Sequence, residues 1–176
     1  MKILSWNVGG LNSCIDDEDF LNLIKNFDFI FFSETWQKNN EIFSLEGYDS
    51  LYVPRPESFT SKRGHGGICI LFKEQLNNGI SIVEIDNTGF IWVKLDKTFF
   101  GFDDDIYLCF VYIPPSNYVY FMSHEVGFFE ALERYIQKYI EYGKVSVIGD
   151  LNARCGDRSD ILDCKIILIN IYIKFR

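Results

Sequence analysis

The sequence has few histidines, few prolines and no closely spaced cysteine pair. The cysteine pattern argues against a disulfide-stabilised protein and against a zinc-binding protein. It contains 2 His, 4 Pro and 5 Cys among 176 residues. The odd number of cysteines and the lack of a C-x-x-C pair indicate neither a disulfide framework nor a zinc site. Cys69 and Cys109 lie inside apolar runs, where an unpaired cysteine is usually an ordinary core residue.

Long hydrophobic runs are also lacking. The longest apolar stretch, residues 166–173, is interrupted by Asn170 and is far shorter than the ~20 residues needed to span a bilayer as a helix. Residues 1–8 lack the charged start and the long apolar stretch of a signal peptide. We therefore expect an intracellular protein, nuclear or cytoplasmic, with no membrane partner, and no feature indicates a protein partner.

Positive charge is in deficit. Lys and Arg number 17 against 25 Asp and Glu, so the net charge is −8, the reverse of the basic footprint of proteins that hold DNA by neutralising its phosphates. A polyanionic substrate would need a cation or a local basic patch. Arg63, His65 and Arg154 are the candidates for such a substrate-binding patch, with Lys62 and Arg158 nearby in sequence. The alternative is a set of surface charges scattered over loops.

Apolar and aromatic side chains, by contrast, are abundant. Apolar residues make up 48% of the chain, with 17 Phe, 10 Tyr and 3 Trp, which is enough for one packed core and favours pleated surfaces. Short apolar runs separated by polar or Gly-containing turns predict strands. These runs are residues 2–6, 29–32, 48–53, 67–72, 80–85, 90–95, 106–112 and 144–148.

Two segments instead repeat apolar residues at three- and four-residue spacings, which predicts amphipathic helices. They are residues 17–27, with Asp16 or Asp17 as the N-cap, and residues 125–142, with Gly143 where a C-cap glycine belongs. The acidic run 103–105 predicts a solvated turn. Together these elements predict an α/β (α+β) sandwich of two packed mixed sheets with helices on the outer faces.

Several predicted strands end abruptly in a polar side chain. Asn7, Glu34 and Asp150 each follow such a strand, and Asn152 comes two residues after Asp150. Groups at strand ends sit on a rigid scaffold and can converge on one crevice. Singly, Asn7 could cap a turn, Glu34 could pair with a lysine, and Asp150 and Asn152 could form an Asx-turn. Together they offer the oxygen ligands that Mg²⁺ prefers, with coordination positions left for phosphate oxygens.

The segment from Gly149 to Asn152 predicts different catalytic roles for Asp150 and Asn152. On an extended chain Asp150 and Asn152 point the same way while Leu151 points into the core, and Gly149 lets a substrate approach. Asp150 can then accept a proton from an attacking water, and Asn152 can donate to a developing phosphorane oxygen. Tyr112 ends another strand, so its phenol can reach a phosphate oxygen or, alternatively, can extend from the core into water.

Five short motifs follow one another in an order that is typical of one family. They are Leu4-Ser5-Trp6-Asn7, Ser33-Glu34-Thr35-Trp36, Gly66-Gly67-Ile68-Cys69-Ile70, Tyr112-Ile113-Pro114-Pro115 and Gly149-Asp150-Leu151-Asn152-Ala153-Arg154. This set resembles the endonuclease/exonuclease/phosphatase superfamily of Mg²⁺-dependent phosphoester hydrolases. Three of its features look most like the endonuclease domains of non-LTR retrotransposons and their domesticated relatives: the Ser-x-Thr-Trp form, the turn from Arg63-Gly64 to Gly67, and Asn152-Ala153-Arg154.

The resemblance implies a DNase I-like fold, DNA as the substrate and Mg²⁺, or alternatively Mn²⁺, as the cofactor. It also implies that Asn7 and Glu34 belong to the metal site and that Tyr112 contacts the phosphate. Asp150 and Asn152 would serve the attacking water and the transition state. These implied roles agree with the chemistry expected from the residues themselves.

The resemblance fails towards the C-terminus, where the family carries an Asp-His dyad, often written Ser-Asp-His. The histidines of this chain, His65 and His124, occupy no such motif. We therefore expect an incomplete domain over residues 1–165 that lacks the final strands. An atypical apolar tail over residues 166–176 should pack poorly or mispair, as an early stop, a gene-model error or a decayed element would produce.

Three functions stay open on the sequence alone. The first is a DNA endonuclease of the retroelement nicking type, with activity that is weak or lost in a truncated domain. The second is a phosphatase acting on small phosphoesters or inositol phosphates. The third is a non-catalytic remnant that only keeps the fold.

Overall fold

Two β-sheets form the body of the protein in the computed structural model, which describes residues 1–37, 43–54, 66–86, 89–113, 127–152 and, for the backbone alone, 166–170. In chain order the strands are β1 (Lys2–Asn7), β2 (Phe29–Ser33), β3 (Tyr48–Val53), β4 (Ile68–Lys73), β5 (Ile80–Asp86), β6 (Phe90–Leu95), β7 (Ile106–Tyr112), β8 (Lys144–Asp150) and β9 (Ile166–Asn170). The first sheet has the order β3-β4-β2-β1-β9 and the second the order β5-β6-β7-β8.

Each sheet is mixed, and each contains a parallel pair. Strand β1 runs parallel to β2 and β7 runs parallel to β8, whereas the other described pairings are antiparallel. In register, Asn7 lies opposite Ser33, the residue before Glu34, and Tyr112 lies opposite Asp150. The parallel pairs thus bring the polar strand ends of each sheet to one edge.

The two sheets pack face to face because apolar side chains line the inner face of each. Phe110 of β7 lies against two phenylalanines of β2, with ring centroids 6.1 Å from Phe29 and 5.4 Å from Phe31. Strand β8 of the second sheet lies across β1 and β2 of the first. This inner core fixes the polar edge of one sheet against that of the other. Its most deeply buried members include Ile3, Phe29, Phe31, Ile70, Ile91, Leu95, Leu108 and Phe110.

Helices cover the outer faces. Helix α1 (Glu18–Ile24) packs Phe20 and Ile24 onto the first sheet, α2 (Lys97–Phe100) is one turn long, and α3 (Phe128–Ile140) packs Leu132 and Tyr139 onto the second sheet. The predicted sandwich of two mixed sheets with outer helices is confirmed. Within the described ranges, no helix combines the length and the apolar character needed to cross a membrane.

Most predicted elements recur with small shifts at their ends. Asp17 caps α1, since its side chain accepts hydrogen bonds from the backbone N–H groups of Asp19 and Phe20. Gly143 has a different role from the predicted C-cap, because Glu141 is the C-cap residue of α3. A Cβ at Gly143 would lie 2.3 Å from the carbonyl oxygen of Asp105, so glycine is required there by the close approach of two chain segments.

Cys69 and Cys109 are buried, as predicted for core residues. Burial raises the pKa of the Cys69 thiol to about 12 and raises that of Cys109 further, so both stay protonated. The predicted acidic turn is solvated at Asp103 and Asp104. Asp105 is anchored instead, by the Lys94 ammonium at 2.8 Å and the Lys97 backbone N–H at 2.9 Å.

The apolar segment near the C-terminus forms β9. Its backbone pairs antiparallel with β1 in unbroken register from Asn170 opposite Lys2 to Ile166 opposite Trp6. This regular pairing differs from the expected mispairing, and the physical reason is that β1 without a neighbour on that side would leave its backbone N–H and C=O groups unpaired. The proposed domain boundary at residue 165 stays a prediction.

Candidate active site

Two hydrogen bonds between the sheets bring four predicted site residues together. The side-chain amide of Asn7, at the end of β1, donates to Oδ2 of Asp150, at the end of β8, over 2.9 Å. The hydroxyl of Tyr112, at the end of β7, donates to Oε1 of Glu34, which follows β2. Each bond joins a parallel pair of one sheet to that of the other, so the four residues form one cluster.

Asp150 is held at both carboxylate oxygens. Oδ2 accepts from Asn7, and Oδ1 accepts from the backbone N–H of Asn152 at 3.0 Å. The carboxylate is therefore fixed in orientation, yet each oxygen keeps a second lone pair for another donor. Such a carboxylate can receive a proton from a water placed beside it.

Asn152 departs from the extended geometry predicted for it. Its φ is 44°, in the left-handed region that Asn tolerates better than most residues, because the chain turns back to close an Asx-type bond onto Asp150. The side-chain amide donates to the carbonyl oxygen of Ile113 at 2.8 Å. Leu151 packs against the core under α3, as predicted. Asp150 and Asn152 are thus neighbours across a tight turn and are not side chains pointing the same way from a strand.

Glu34 is held by three donors and sits in a strained turn. Oε1 accepts from Tyr112, and Oε2 accepts from the indole N–H of Trp36 at 2.8 Å and from the backbone N–H of Gly66 at 2.9 Å. The φ angles of Glu34 and Trp36 are 55° and 54°. A left-handed residue other than glycine costs about 1–2 kcal/mol, and it persists only where its surroundings over-determine it.

Tyr112 is almost entirely buried, with 2% of its surface exposed. Its ring belongs to the inner core, and its one O–H is directed to Glu34. The alternative of a hydroxyl in bulk water therefore does not hold. Tyr112 links the core to the Glu34 carboxylate, and contact with a phosphate stays a prediction.

The donor set suits a hard cation. Glu34 and Asp150 supply carboxylate oxygens and Asn7 supplies an amide oxygen, because its nitrogen is used on Asp150. Oxygen donors with one or two carboxylates and several waters are how Mg²⁺ is usually bound. Among the described residues, no three His, Cys, Asp or Glu side chains group closely enough to hold a metal by themselves, so a Mg²⁺ here would depend on water and substrate oxygens.

Two of the residues that donate hydrogen bonds to Glu34 were not assigned roles from the sequence. They are Trp36 and Gly66. Both belong to motifs in the sequence, but a bond between residues 32 positions apart, such as Gly66 to Glu34, depends on the packing of two loops. The predicted substrate-binding residues Arg63, His65 and Arg154 lie outside the described residues, so their role stays a prediction.

The sequence as a whole matches a known family model. The description of that model is Endonuclease/Exonuclease/phosphatase family, and it aligns with residues 4–170 of this chain. The chain belongs to this family. Membership makes it a relative of nucleases and phosphatases whose shared chemistry is metal-dependent phosphoester hydrolysis, and the resemblance stated from the five motifs is confirmed at that level.

Several known proteins resemble the chain at low sequence identity. The exodeoxyribonuclease of Bacillus subtilis (strain 168) is 27% identical over 159 residues, which are 86% of this chain and 58% of that protein. The structure of the AP endonuclease LMAP from Leishmania major superposes with a TM-score of 0.63 at 17% identity, covering 86% of this chain and 55% of that one.

A further structural neighbour is the 3′ phosphatase NExo from Neisseria, solved with a product DNA hairpin. It superposes with a TM-score of 0.58 at 15% identity and covers 89% of this chain and 60% of that one. At such identities the solved structures establish the fold alone. The chain spans a little over half the length of these relatives, between 55% and 60%.

Proposed function

We propose that this chain cleaves phosphodiester bonds in DNA with Mg²⁺, or Mn²⁺ in its place, as an endonuclease-type hydrolase. The observation that carries the proposal is the pair of hydrogen bonds between the sheets, Asn7 to Asp150 and Tyr112 to Glu34. They gather two carboxylates and an amide at one edge of a rigid sandwich. Relatives that are named as an exodeoxyribonuclease and an AP endonuclease support DNA as the substrate class.

In the proposed reaction Asp150 accepts the proton of the attacking water. Asn7 and the backbone N–H of Asn152 hold the carboxylate while each of its oxygens keeps an acceptor position. The Asn152 amide has two N–H groups and donates to the Ile113 carbonyl, so its second N–H is the candidate donor to a developing phosphorane oxygen.

Glu34 and Asn7 would hold the cation, which when bound supplies positive charge beside the scissile phosphate. Tyr112 has a single O–H, which it donates to Glu34, so a bond to a phosphate oxygen requires that hydrogen bond to exchange. Arg63, His65 and Arg154 are proposed to supply the positive charge that a chain of net charge −8 otherwise lacks.

The finer placement among retroelement nicking domains is supported by motif form. The segments that carry it are Ser33-Glu34-Thr35-Trp36, the predicted turn from Arg63-Gly64 to Gly67, and Asn152-Ala153-Arg154. A phosphatase is the second candidate, and the 3′ phosphatase among the structural neighbours favours keeping it. The two candidates share one hydrolytic site and differ in the substrate that reaches it.

The test is nicking of supercoiled plasmid with Mg²⁺ or Mn²⁺ by the wild-type chain, Asp150→Asn and Glu34→Gln. We expect Asp150→Asn to reduce the rate by ~10²-fold or more, because a positioned proton-transfer group typically contributes ~10² to 10⁴. Glu34→Gln should also reduce the rate, because it removes a carboxylate from the proposed metal site. The matched control is Asp104→Asn, which removes an exposed carboxylate paired loosely with Lys144 at 3.4 Å and should leave nicking unchanged.

Three other outcomes would redirect the proposal. Release of phosphate from a 3′-phosphorylated oligonucleotide or from inositol phosphates, without nicking, would establish the phosphatase. Nicking that survives Asp150→Asn would refute the assignment of the base. A folded chain that hydrolyses neither substrate class with metal would support the third function, a non-catalytic remnant that only keeps the fold.

A further inference from the structure

Trp36 contributes a hydrogen bond to the Glu34 carboxylate that no motif role accounts for. Its indole N–H lies 2.8 Å from Oε2, the oxygen that also accepts from the Gly66 backbone N–H at 2.9 Å. A carboxylate oxygen has about two lone-pair positions, so both positions on Oε2 are taken. Oε1 accepts from Tyr112 alone among the described residues, and the remaining acceptor position of Glu34 lies on that oxygen.

The backbone from Glu34 to Trp36 is held on both sides by hydrogen bonds to glycines. On one side Gly10 donates to the Glu34 carbonyl at 2.8 Å. On the other side Thr35 donates to the Gly67 carbonyl at 3.2 Å and Trp36 donates to the Gly66 carbonyl at 2.9 Å. These bonds over-determine the left-handed conformations at Glu34 and Trp36. The turn therefore aims the Trp36 side chain back at the carboxylate two residues earlier.

Close packing seats the indole ring. A Cβ at Gly10 would lie 2.7 Å from Cε3 of Trp36, so the ring rests against the glycine backbone where another residue could not fit. A Cβ at Gly67 would likewise meet the Thr35 hydroxyl at 2.6 Å. One edge of the indole ring is therefore held against the Gly10 backbone, while 37% of the Trp36 surface stays exposed.

We propose that Trp36 is a positioning residue that fixes the Glu34 carboxylate, so that Oε1 is presented for a divalent cation. The proposal rests on the metal site of the proposed function and extends it to a residue that would not touch the cation. Partners that orient a metal-binding side chain typically contribute about 10- to 100-fold to metal affinity. Since Gly66 and Tyr112 still hold Glu34, we expect the lower end of that range for Trp36.

The experiment measures binding of Mn²⁺ alone to the 176-residue chain by isothermal titration calorimetry. Trp36→Phe keeps a smaller aromatic ring at this position and removes the N–H donor, and we expect it to weaken Mn²⁺ binding about tenfold. Trp92→Phe is the matched control, because the Trp92 indole is fully buried and its N–H has no partner within the described part of the chain. It should lower the melting temperature and leave Mn²⁺ affinity within about twofold.

Glu34→Gln separates failure of this proposal from failure of the proposed function. Wild-type affinity in Trp36→Phe, together with lost binding in Glu34→Gln, overturns the positioning role and leaves the metal site standing. Absence of Mn²⁺ binding by the wild-type chain overturns the metal site, and the positioning role falls with it.

A second measurement covers the case in which Trp36→Phe folds poorly. The chain has 3 Trp, so Trp6→Phe and Trp92→Phe assign the indole N–H resonance of Trp36 in the NMR spectrum of the wild type by elimination. That resonance should shift in Glu34→Gln, because its acceptor loses charge, and again on addition of Mn²⁺. A resonance that moves in neither case overturns the proposal.

Discussion

The position of Asp150 depends on the preceding residue, Gly149. Gly149 has a φ of 144°, and a Cβ built there would lie 1.9 Å from the carbonyl oxygen of Val111 on the neighbouring strand. Strands β7 and β8 therefore approach more closely at this point than any other residue would permit. The glycine, expected from the sequence to admit the substrate, instead admits the backbone of β7.

We predict that Gly149→Ala destabilises the protein by at least about 3 kcal/mol, since overpacking against rigid backbone adds to the unfavourable φ. Urea unfolding followed by circular dichroism measures the change. The control is Gly47→Ala, where φ is 79° but nothing lies within 4 Å of the added Cβ, so only about 1 kcal/mol should be lost. Equal losses at the two positions would contradict the close approach.

Asp28 ties three strands together at the edge away from the site. Its carboxylate accepts from the Lys2 backbone N–H at 2.7 Å and from the Lys73 ammonium at 2.9 Å. Burial by itself would raise the pKa of Asp28, but the hydrogen bonds from Lys73 and Lys2 and the nearby positive charges outweigh burial and lower the pKa below 3.8. The ionised form is therefore favoured by folding.

Because the pKa of Asp28 is lower in the folded than in the unfolded chain, its contribution is present above about pH 4 and is lost as pH falls through the folded pKa. We predict that Asp28→Asn costs about 1 kcal/mol near neutral pH, since the pair is partly exposed, and less at about pH 3. Thermal melts across this range measure the difference. A cost for Asp28→Asn that grows on acidification would refute the predicted direction of the pKa shift.

At the scale of elements, strands were predictable where a buried run ends in a turn residue. Strands β3, β6 and β7 have the predicted bounds. In β6 and β7 nearly every residue is buried, and few other conformations would bury these apolar runs. Strand β3 is mostly half-buried and was recognisable from its aromatic and apolar residues between turns. The single turn of α2 was missed because four residues carry no helical period. The pairing of β9 with β1 was not predicted, because nothing in the residues of β9 indicates which strand lies beside it.

The residues of the site were predictable from the sequence, but the hydrogen bonds between them were not. Asn7, Glu34, Tyr112 and Asp150 stand out because a polar group ends each apolar strand. Their hydrogen bonds depend on how one sheet lies on the other, which no local pattern encodes. At Asn152 a local bond to Asp150 competes with extension of β8 and prevails, which strand periodicity does not reveal.

Proline substitutions in β9 test its pairing with β1. In an antiparallel ladder, successive residues direct their N–H groups alternately towards and away from the partner strand. We therefore predict that, of Ile167→Pro and Leu168→Pro, one removes a ladder bond and lowers the melting temperature by about 2–4 °C for each kcal/mol lost, whereas the other has a clearly smaller effect. Differential scanning calorimetry distinguishes them. Two small and equal effects would show that β9 does not pair as described.

At the scale of the whole molecule, the chain spans 58% of the exodeoxyribonuclease that it resembles. Its histidines, His65 and His124, lie outside any Ser-Asp-His motif. We predict that fusing the C-terminal portion of a relative to this chain raises plasmid nicking by ~10² to 10⁴, the usual contribution of a proton-transfer group, which is a barrier change of roughly 3–5 kcal/mol.

The control for that experiment is the same fusion carrying Asp150→Asn, which should abolish the gain because the added portion works only with the site of this chain. Nicking by the 176-residue chain at the rate of the fusion would mean that a group already present, such as His65, performs the proton transfer.

The hydrogen bond between Asn7 and Asp150 joins residues 143 positions apart, and this separation has a consequence for how the protein folds. Loop closure over such distances is slow and comes after local structure has formed. During synthesis, β1 and β2 can pair long before β8 leaves the ribosome. Until β7 and β8 have been synthesised, Asn7 and Glu34 therefore lack their hydrogen-bond partners in the second sheet, Asp150 and Tyr112. Refolding experiments should accordingly show secondary structure appearing first and Mn²⁺ binding last, as a single late event that reports the docking of the sheets.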